Sequence, residues 1–403
     1  MFQQITSNHP LDTFNHPTKI DLMSSVYLDN NATTAIHPEV AQAMFECFQH
    51  GFVNPESQHL LGREARRTLE AAREQLGALL GLHQADVHAD NLFFTSGGTE
   101  ANNLALQGYQ QDAEQKRRLV ISGIEHPSIS TTAAWLTSLG VDVQTVNTLS
   151  NGQIDCNHLK TLVNKDTFLV AAMLANNETG VLQPLEAIIE ICEPMGVPVH
   201  VDAVQAIGKT DVHFQNLGAT SMAISAHKVH GPRGVGALIT KHGAVPRPIL
   251  HGGFQQAAIR PGTESVALAV GFAKAVEVYL EKKDEHRKQL LSMRKKLESG
   301  VLEQLDCAIV IGDDGPRMPH TSNIAFQGRD RQAVLMALDI AGICCSTGSA
   351  CASGSSEPSP TLVAMGLDEQ TIEGALRFSL GIFNSDAEVE NAIKQICAVV
   401  SVL

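Results

Sequence analysis

The residues able to do chemistry in this 403-residue chain fall in five short polar clusters, each following an apolar run. They are Ser96-Gly97-Gly98-Thr99, Glu125-His126, Asn176-Asn177-Glu178, Asp202 with Gln205, and Ser225-Ala226-His227-Lys228. The first cluster joins an apolar run to a helix-like segment. Glycines there allow close approach, and a helix start offers free N–H groups, so Gly98 and Thr99 suit a phosphate. A glycine turn capped by threonine is the competing reading. The lysine-containing phosphate loop of nucleotide-triphosphate enzymes is absent. Asp202 follows apolar Val199-His200-Val201. A carboxylate in that setting needs a cationic partner, such as a protonated pyridine nitrogen, unless it caps a helix. Lys228 directly follows an apolar run. Desolvated, its amine becomes a nucleophile toward an aldehyde; otherwise it is a surface lysine. Amine, carboxylate and phosphate cradle together are the three requirements of pyridoxal 5'-phosphate held as a Schiff base on Lys228.

Two further residues stand apart. Cys351 lies among small residues, Ser346-Thr347-Gly348-Ser349-Ala350 before it and Ala352-Ser353-Gly354 after it. Such a segment cannot pack a core and is expected to be mobile, which suits a thiol that attacks a bound substrate; an incidental surface cysteine is the alternative. Arg377 could grip a substrate carboxylate through two hydrogen bonds or serve in a structural ion pair.

These clusters need a scaffold. Strand-like runs at 91–95, 119–122, 141–146, 167–174, 198–201, 221–225 and 235–240 alternate with amphipathic segments such as 98–109, 128–139 and 184–195. That alternation predicts an α/β fold with a mainly parallel sheet, whose strand carboxyl ends would gather the clusters. A long helical region spans 264–305. After it, runs at 308–312, 323–326 and 377–380 with helices at 331–341 and 386–399 predict a smaller α+β domain, joined by 27–32. The expected division is an extension over 1–25, a small domain of 26–37 and 283–403, and a large cofactor-binding domain of 38–282. The segment 353–360 reads as a loop. Lys116-Arg117-Arg118 reads as the solvated end of a helix.

Composition narrows the function. The formal net charge is -14, which disfavours nucleic acid as a partner. No run of about 18 apolar residues suggests a membrane span. The first 25 residues lack the apolar centre of a signal peptide, and Met23 is a possible second start, so a cytoplasmic location is expected. Eight cysteines without paired CxxC spacing are expected to be reduced. Cys47, Cys156, Cys192, Cys307 and Cys397 read as small core residues and Cys344-Cys345 as buried on a strand. No resident metal is expected.

The run 27–34 (YLDNNATT), 95–100 (TSGGTE), 125–127 (EHP), 176–180 (NNETG), 202–205 (DAVQ), 226–228 (AHK), 262–264 (GTE), 349–351 (SAC) and 377–381 (RFSLG) together resemble the cysteine desulfurases, in order and spacing, from residue 26 to the C-terminus. The nitrogen-fixation-type and housekeeping iron–sulfur branch is the closer one. The resemblance implies the pyridoxal-phosphate transferase fold of the class V aminotransferases and a homodimer. It further implies that Lys228 holds the cofactor, Asp202 pairs with its ring nitrogen, His126 stacks on the ring and moves protons, and Gln205 bonds the ring hydroxyl. Gly98, Thr99, Ser225 and His227 would hold the phosphate, with Thr263 arriving from the partner subunit. Asn177 and Arg377 would orient L-cysteine, and Cys351 would accept its sulfur as a persulfide, leaving alanine. The sulfur would then pass to an acceptor such as an iron–sulfur scaffold protein, and the resemblance implies that Cys351 would meet iron only transiently, at an acceptor's iron–sulfur cluster. Docking to a scaffold is expected to be weak, because the chain ends at Leu403 soon after its last helix. Gln256-Ala257-Ala258 stands where the family usually carries Glu-Arg-Gly. A selenocysteine lyase or aminotransferase of the same fold is the rival enzyme reading, and Cys351 separates them. A thiol or metal-binding module would use Cys344, Cys345 and Cys351, but lacks zinc-site spacing.

Overall fold

The computed structural model describes residues 25–112, 116–348 and 357–403. Its strands are β1 (Val26–Tyr27), β2 (Asn91–Thr95), β3 (Arg118–Ser122), β4 (Asp142–Val146), β5 (Thr167–Met173), β6 (Val199–Asp202), β7 (Ser221–Ser225), β8 (Gly236–Thr240), β9 (Ala308–Val310), β10 (Thr321–Phe326), β11 (Ile343–Cys344) and β12 (Ala375–Ser379).

Strands β2 to β8 form one sheet in the order β2-β8-β7-β6-β5-β3-β4. Only β8 runs against its neighbours β2 and β7; the other pairs are parallel. The central strands are buried along their whole length, which explains their unbroken apolar character. One core, with Leu69, Leu76, Val201, Met222 and Phe272, packs one face of the sheet. Another, with Leu104, Leu119, Ile129 and Leu136, packs the other. Because six strands point the same way, their carboxyl ends share one edge.

A three-stranded antiparallel sheet, β12-β10-β9, carries a separate core with Leu290, Leu297, Phe326, Leu338 and Phe378. β1 pairs in parallel with β11, and Asp29 bridges to Ser379, so residues 26–29 return to this second unit.

Several expectations are corrected. The helical region 264–305 is two helices, Val266–Glu281 and Lys283–Leu302, broken at Lys282. Arg118 opens β3 and pairs with Asp142 at 2.7 Å, so Lys116-Arg117-Arg118 leads into a strand. Pro360 belongs to a short helix, Pro360–Ala364, capped by Ser359, where a loop was expected. Cys47, Cys192 and Cys397 are buried, but Cys156, Cys307, Cys344 and Cys345 are only half-buried.

Candidate active site

Ten of the twelve residues singled out from the sequence line one cavity of about 550 Å³ at the shared edge of the large sheet. They are Gly98, Thr99, His126, Asn177, Asp202, Gln205, Ser225, His227, Lys228 and Arg377. Thr263 is exposed and does not line it. Cys351 lies outside the described residues; Glu357 and Pro360, which follow its segment, line the cavity.

The lining fits pyridoxal phosphate. Ser225 Oγ is buried without a hydrogen-bond partner, a donor that a phosphate oxygen would satisfy. Gly98 starts the helix Gly98–Asp112, and a Cβ there would stand 2.6 Å from Val204 Cγ2, so glycine keeps the backbone against the cavity wall. The N–H groups of that helix start supply further donors. Lys228 Nζ donates to the Ala32 carbonyl at 2.8 Å and to that of Asn31.

Asp202 ends β6. Its Oδ1 accepts from Val204 N–H at 2.9 Å, so it does cap the following turn, while Oδ2 accepts from Asn102 Nδ2 at 2.8 Å. Each oxygen keeps a lone pair for a cationic ring nitrogen. Behind Asn102, its Oδ1 accepts from His200 Nε2 at 2.9 Å, and His200 Nδ1 meets Ser221 Oγ at 2.9 Å. Burial lowers the His200 pKa to about 3, so this imidazole is neutral and the hydrogen bonds run in one direction.

His126 caps the helix Pro127–Ser138, its Nδ1 accepting from Ser128 N–H at 3.1 Å. Burial lowers its pKa; Asp202 opposes and Lys228 reinforces that shift. Because Nδ1 accepts, the neutral form of the ring carries its proton on Nε2. Burial, Lys228, Lys209 and Arg233 lower the His227 pKa to about 4.

Arg377 is almost fully buried. Its Nη2 pairs with Asp29 Oδ1 at 2.6 Å, and Nη1 donates to the carbonyls of Asn177 at 3.1 Å and Gly348 at 3.0 Å. Nε is buried without a partner, and Nη2 carries a second N–H.

Three site residues escaped the sequence reading. Asn102 sits within a helix, and its only signal was a polar residue on the buried face of 98–109. Asn31 joins both units: its Nδ2 donates to Thr321 Oγ1 at 2.9 Å and the Asn177 carbonyl at 3.0 Å, and its Oδ1 meets His320 Nε2 at 2.8 Å. Glu125, seen only as part of a cluster, is buried, and burial pushes its pKa up to about 8.

A family model, aminotransferase class-V, matches residues 26–392. The chain is 36% identical over 381 residues to the cysteine desulfurase NifS of Azotobacter vinelandii, covering 94% of each. It is 38% identical over 376 residues to an IscS-like cysteine desulfurase of Mycobacterium tuberculosis, covering 91% of this chain and 94% of that one. Among solved structures, a NifS-like protein at 35% identity superimposes with a TM-score of 0.87, over 94% of this chain and 100% of the other. Among the described residues no helix is long and apolar enough to cross a membrane.

Proposed function

The chain belongs to the class-V aminotransferase family as a pyridoxal-phosphate-dependent cysteine desulfurase, and on that premise we propose which of its residues carry the reaction. The observation that carries the assignment is the meeting of Lys228, Asp202 and the unpartnered Ser225 Oγ in one cavity. Lys228 would hold the cofactor, Asp202 its ring nitrogen, Gln205 its ring hydroxyl, and Gly98, Thr99, Ser225 and His227 its phosphate. The bound cofactor supplies an electron sink for the substrate α-carbon.

The protein's own groups do the rest. Arg377, through Nε and the second Nη2 N–H, holds the L-cysteine carboxylate, with Asn177 beside it. The Lys228 amine takes the α-proton. His126, held by Ser128 N–H at Nδ1, moves protons through Nε2. Cys351, as thiolate, attacks the substrate sulfur; an S–S bond forms, the Cβ–S bond breaks, and Cβ takes a proton to complete alanine. The persulfide sulfur then goes to an acceptor protein, an iron–sulfur scaffold being one of the right chemistry.

We further infer a large domain of 38–282 and a small one of 26–37 with 283–403, supported by their separate cores. A homodimer is supported by exposed apolar side chains on neighbouring helices, with Phe48 at 67% and Leu60 at 70% exposure. It is also supported by Thr263 lying away from its own chain's cavity.

Two measurements test the assignment. Borohydride should fix the cofactor to the peptide holding Lys228. Incubation with L-cysteine should add one sulfur to the peptide holding Cys351, and Cys351→Ala should abolish sulfur release while keeping the cofactor. Label on a different lysine, or sulfur release surviving in Cys351→Ala, rejects the corresponding role.

A further inference from the structure

Lys209 is only 4% exposed, and among the described residues the one hydrogen-bond partner of its amine is Gln205 Oε1, at 3.4 Å. No carboxylate pairs with it. An ammonium buried without a counter-ion destabilises a fold, so its place one residue behind the cavity calls for a reason outside packing. Gln205 in turn donates from Nε2 to the Asn31 carbonyl at 3.0 Å, the carbonyl that also accepts from Lys228 Nζ. The Asn31 carbonyl can only accept, so it holds Gln205 Nε2 toward itself and leaves Oε1 facing Lys209, whose amine donates to it. Reversing it would set Oε1 against the Asn31 oxygen.

We propose that Lys209 is a positioning residue, held behind the cavity to orient the Gln205 amide and to set the electrostatic field at the Lys228 amine. This rests on Lys228 being the cofactor lysine. The charged and titratable groups facing Lys209 are Lys228, Arg377, His227, His230 and His320, drawn from separate parts of the chain. None is acidic. Burial, then Lys228 and Arg377, lower the Lys209 pKa to about 7. The two amines, linked through the Gln205 amide and the Asn31 carbonyl, each make the other harder to protonate, which favours the uncharged Lys228 amine that binds an aldehyde and takes a proton.

The test uses holoenzyme with Lys209→Met and Lys209→Gln. Cofactor absorbance is followed against pH, and cofactor loss is followed on dialysis. Both variants remove the like charge, so the pH midpoint of the cofactor–lysine linkage should rise by about one unit in each. Glutamine restores a donor to Gln205 Oε1 and methionine does not, so only Lys209→Met should lose cofactor several-fold faster. A lysine serving packing alone would leave the midpoint at its wild-type value, and that result in either folded variant overturns the proposal. Wild-type protein without a pH-dependent cofactor colour, or with the same colour in Lys228→Ala, would reject the Lys228 assignment and this inference with it. A normal wild-type titration with unshifted Lys209 variants rejects this inference alone.

Discussion

Asn102 Nδ2 stands 2.8 Å from Asp202 Oδ2, and the same amide accepts from His200 through its oxygen. All three side chains are buried, and Asn102 links the other two. Asn102→Ala removes a donor from the carboxylate and strands the His200 N–H. It should destabilise the protein by about 1–3 kcal/mol and weaken cofactor retention. Urea unfolding and cofactor titration of the variant check both effects; wild-type stability would refute the linkage.

Glu125 Oε1 accepts from Met173 N–H at 2.9 Å and from Ser122 Oγ, while Oε2 is buried without a partner. The unfolded chain releases this proton near pH 4, whereas burial holds it in the fold to about 8. The stabilising contribution is therefore complete below about pH 4 and is lost as pH rises toward 8. Glu125→Gln keeps the neutral form at every pH. Its stability should match wild type near pH 4.5 and exceed it at pH 8, by urea unfolding at the two values. An equal difference at both would show that Glu125 does not carry this proton.

Gly348 has φ 98°, and a Cβ there would lie 2.6 Å from Glu178 Oε2. That carboxyl cannot swing aside easily, because Ser359 Oγ donates to the same oxygen at 2.6 Å. Gly348 and Ser359 flank the segment holding Cys351, and Arg377 and Arg331 tie the carbonyls of Gly348 and Glu357 as well. Gly348→Ala should shift one anchored end. Persulfide formation should fall roughly tenfold to a hundredfold while cofactor binding persists. Single-turnover sulfur transfer together with cofactor absorbance measures this.

Gln256, Ala257 and Ala258 have φ of 50°, 57° and 61°, a left-handed run without glycine. Ala258→Gly should raise stability by about 1 kcal/mol by relieving one of these positions, read from thermal unfolding. Gln256 is tied to the neighbouring strand. Its Oε1 accepts from Phe94 N–H at 2.7 Å and its Nε2 donates to Phe94 O at 2.8 Å, completing the open edge of β2. A glutamate could make the first bond but not the second, while Arg73 Nη1, which donates to Oε1 at 3.0 Å, would pair with its charge and offset part of the loss, so Gln256→Glu should lower stability by about 1 kcal/mol in thermal unfolding.

The strand-helix alternation and the polar clusters at strand ends were legible because both are local. An apolar run forms a buried strand, and the residue after it falls at the carboxyl edge. That alone brought Asp202, Ser225, Lys228 and the Gly98 turn to one place, and the motif spacing identified the chemistry. Boundaries shifted by up to three residues, and 264–305 hid a break at Lys282, where good helix formers stand on both sides of the non-helical residue.

What the tertiary structure decided was partnership. Asp29 meets Arg377 from 348 residues away, and Asn31 reaches Thr321 across 290. No periodicity encodes such pairs, because they depend on how two units pack. The same holds for Lys209. In the chain it is a lysine after a glycine, with nothing to distinguish it from a solvated one. Only the fold removes its water and faces it with cations, and that loss of solvent gives its amine a role.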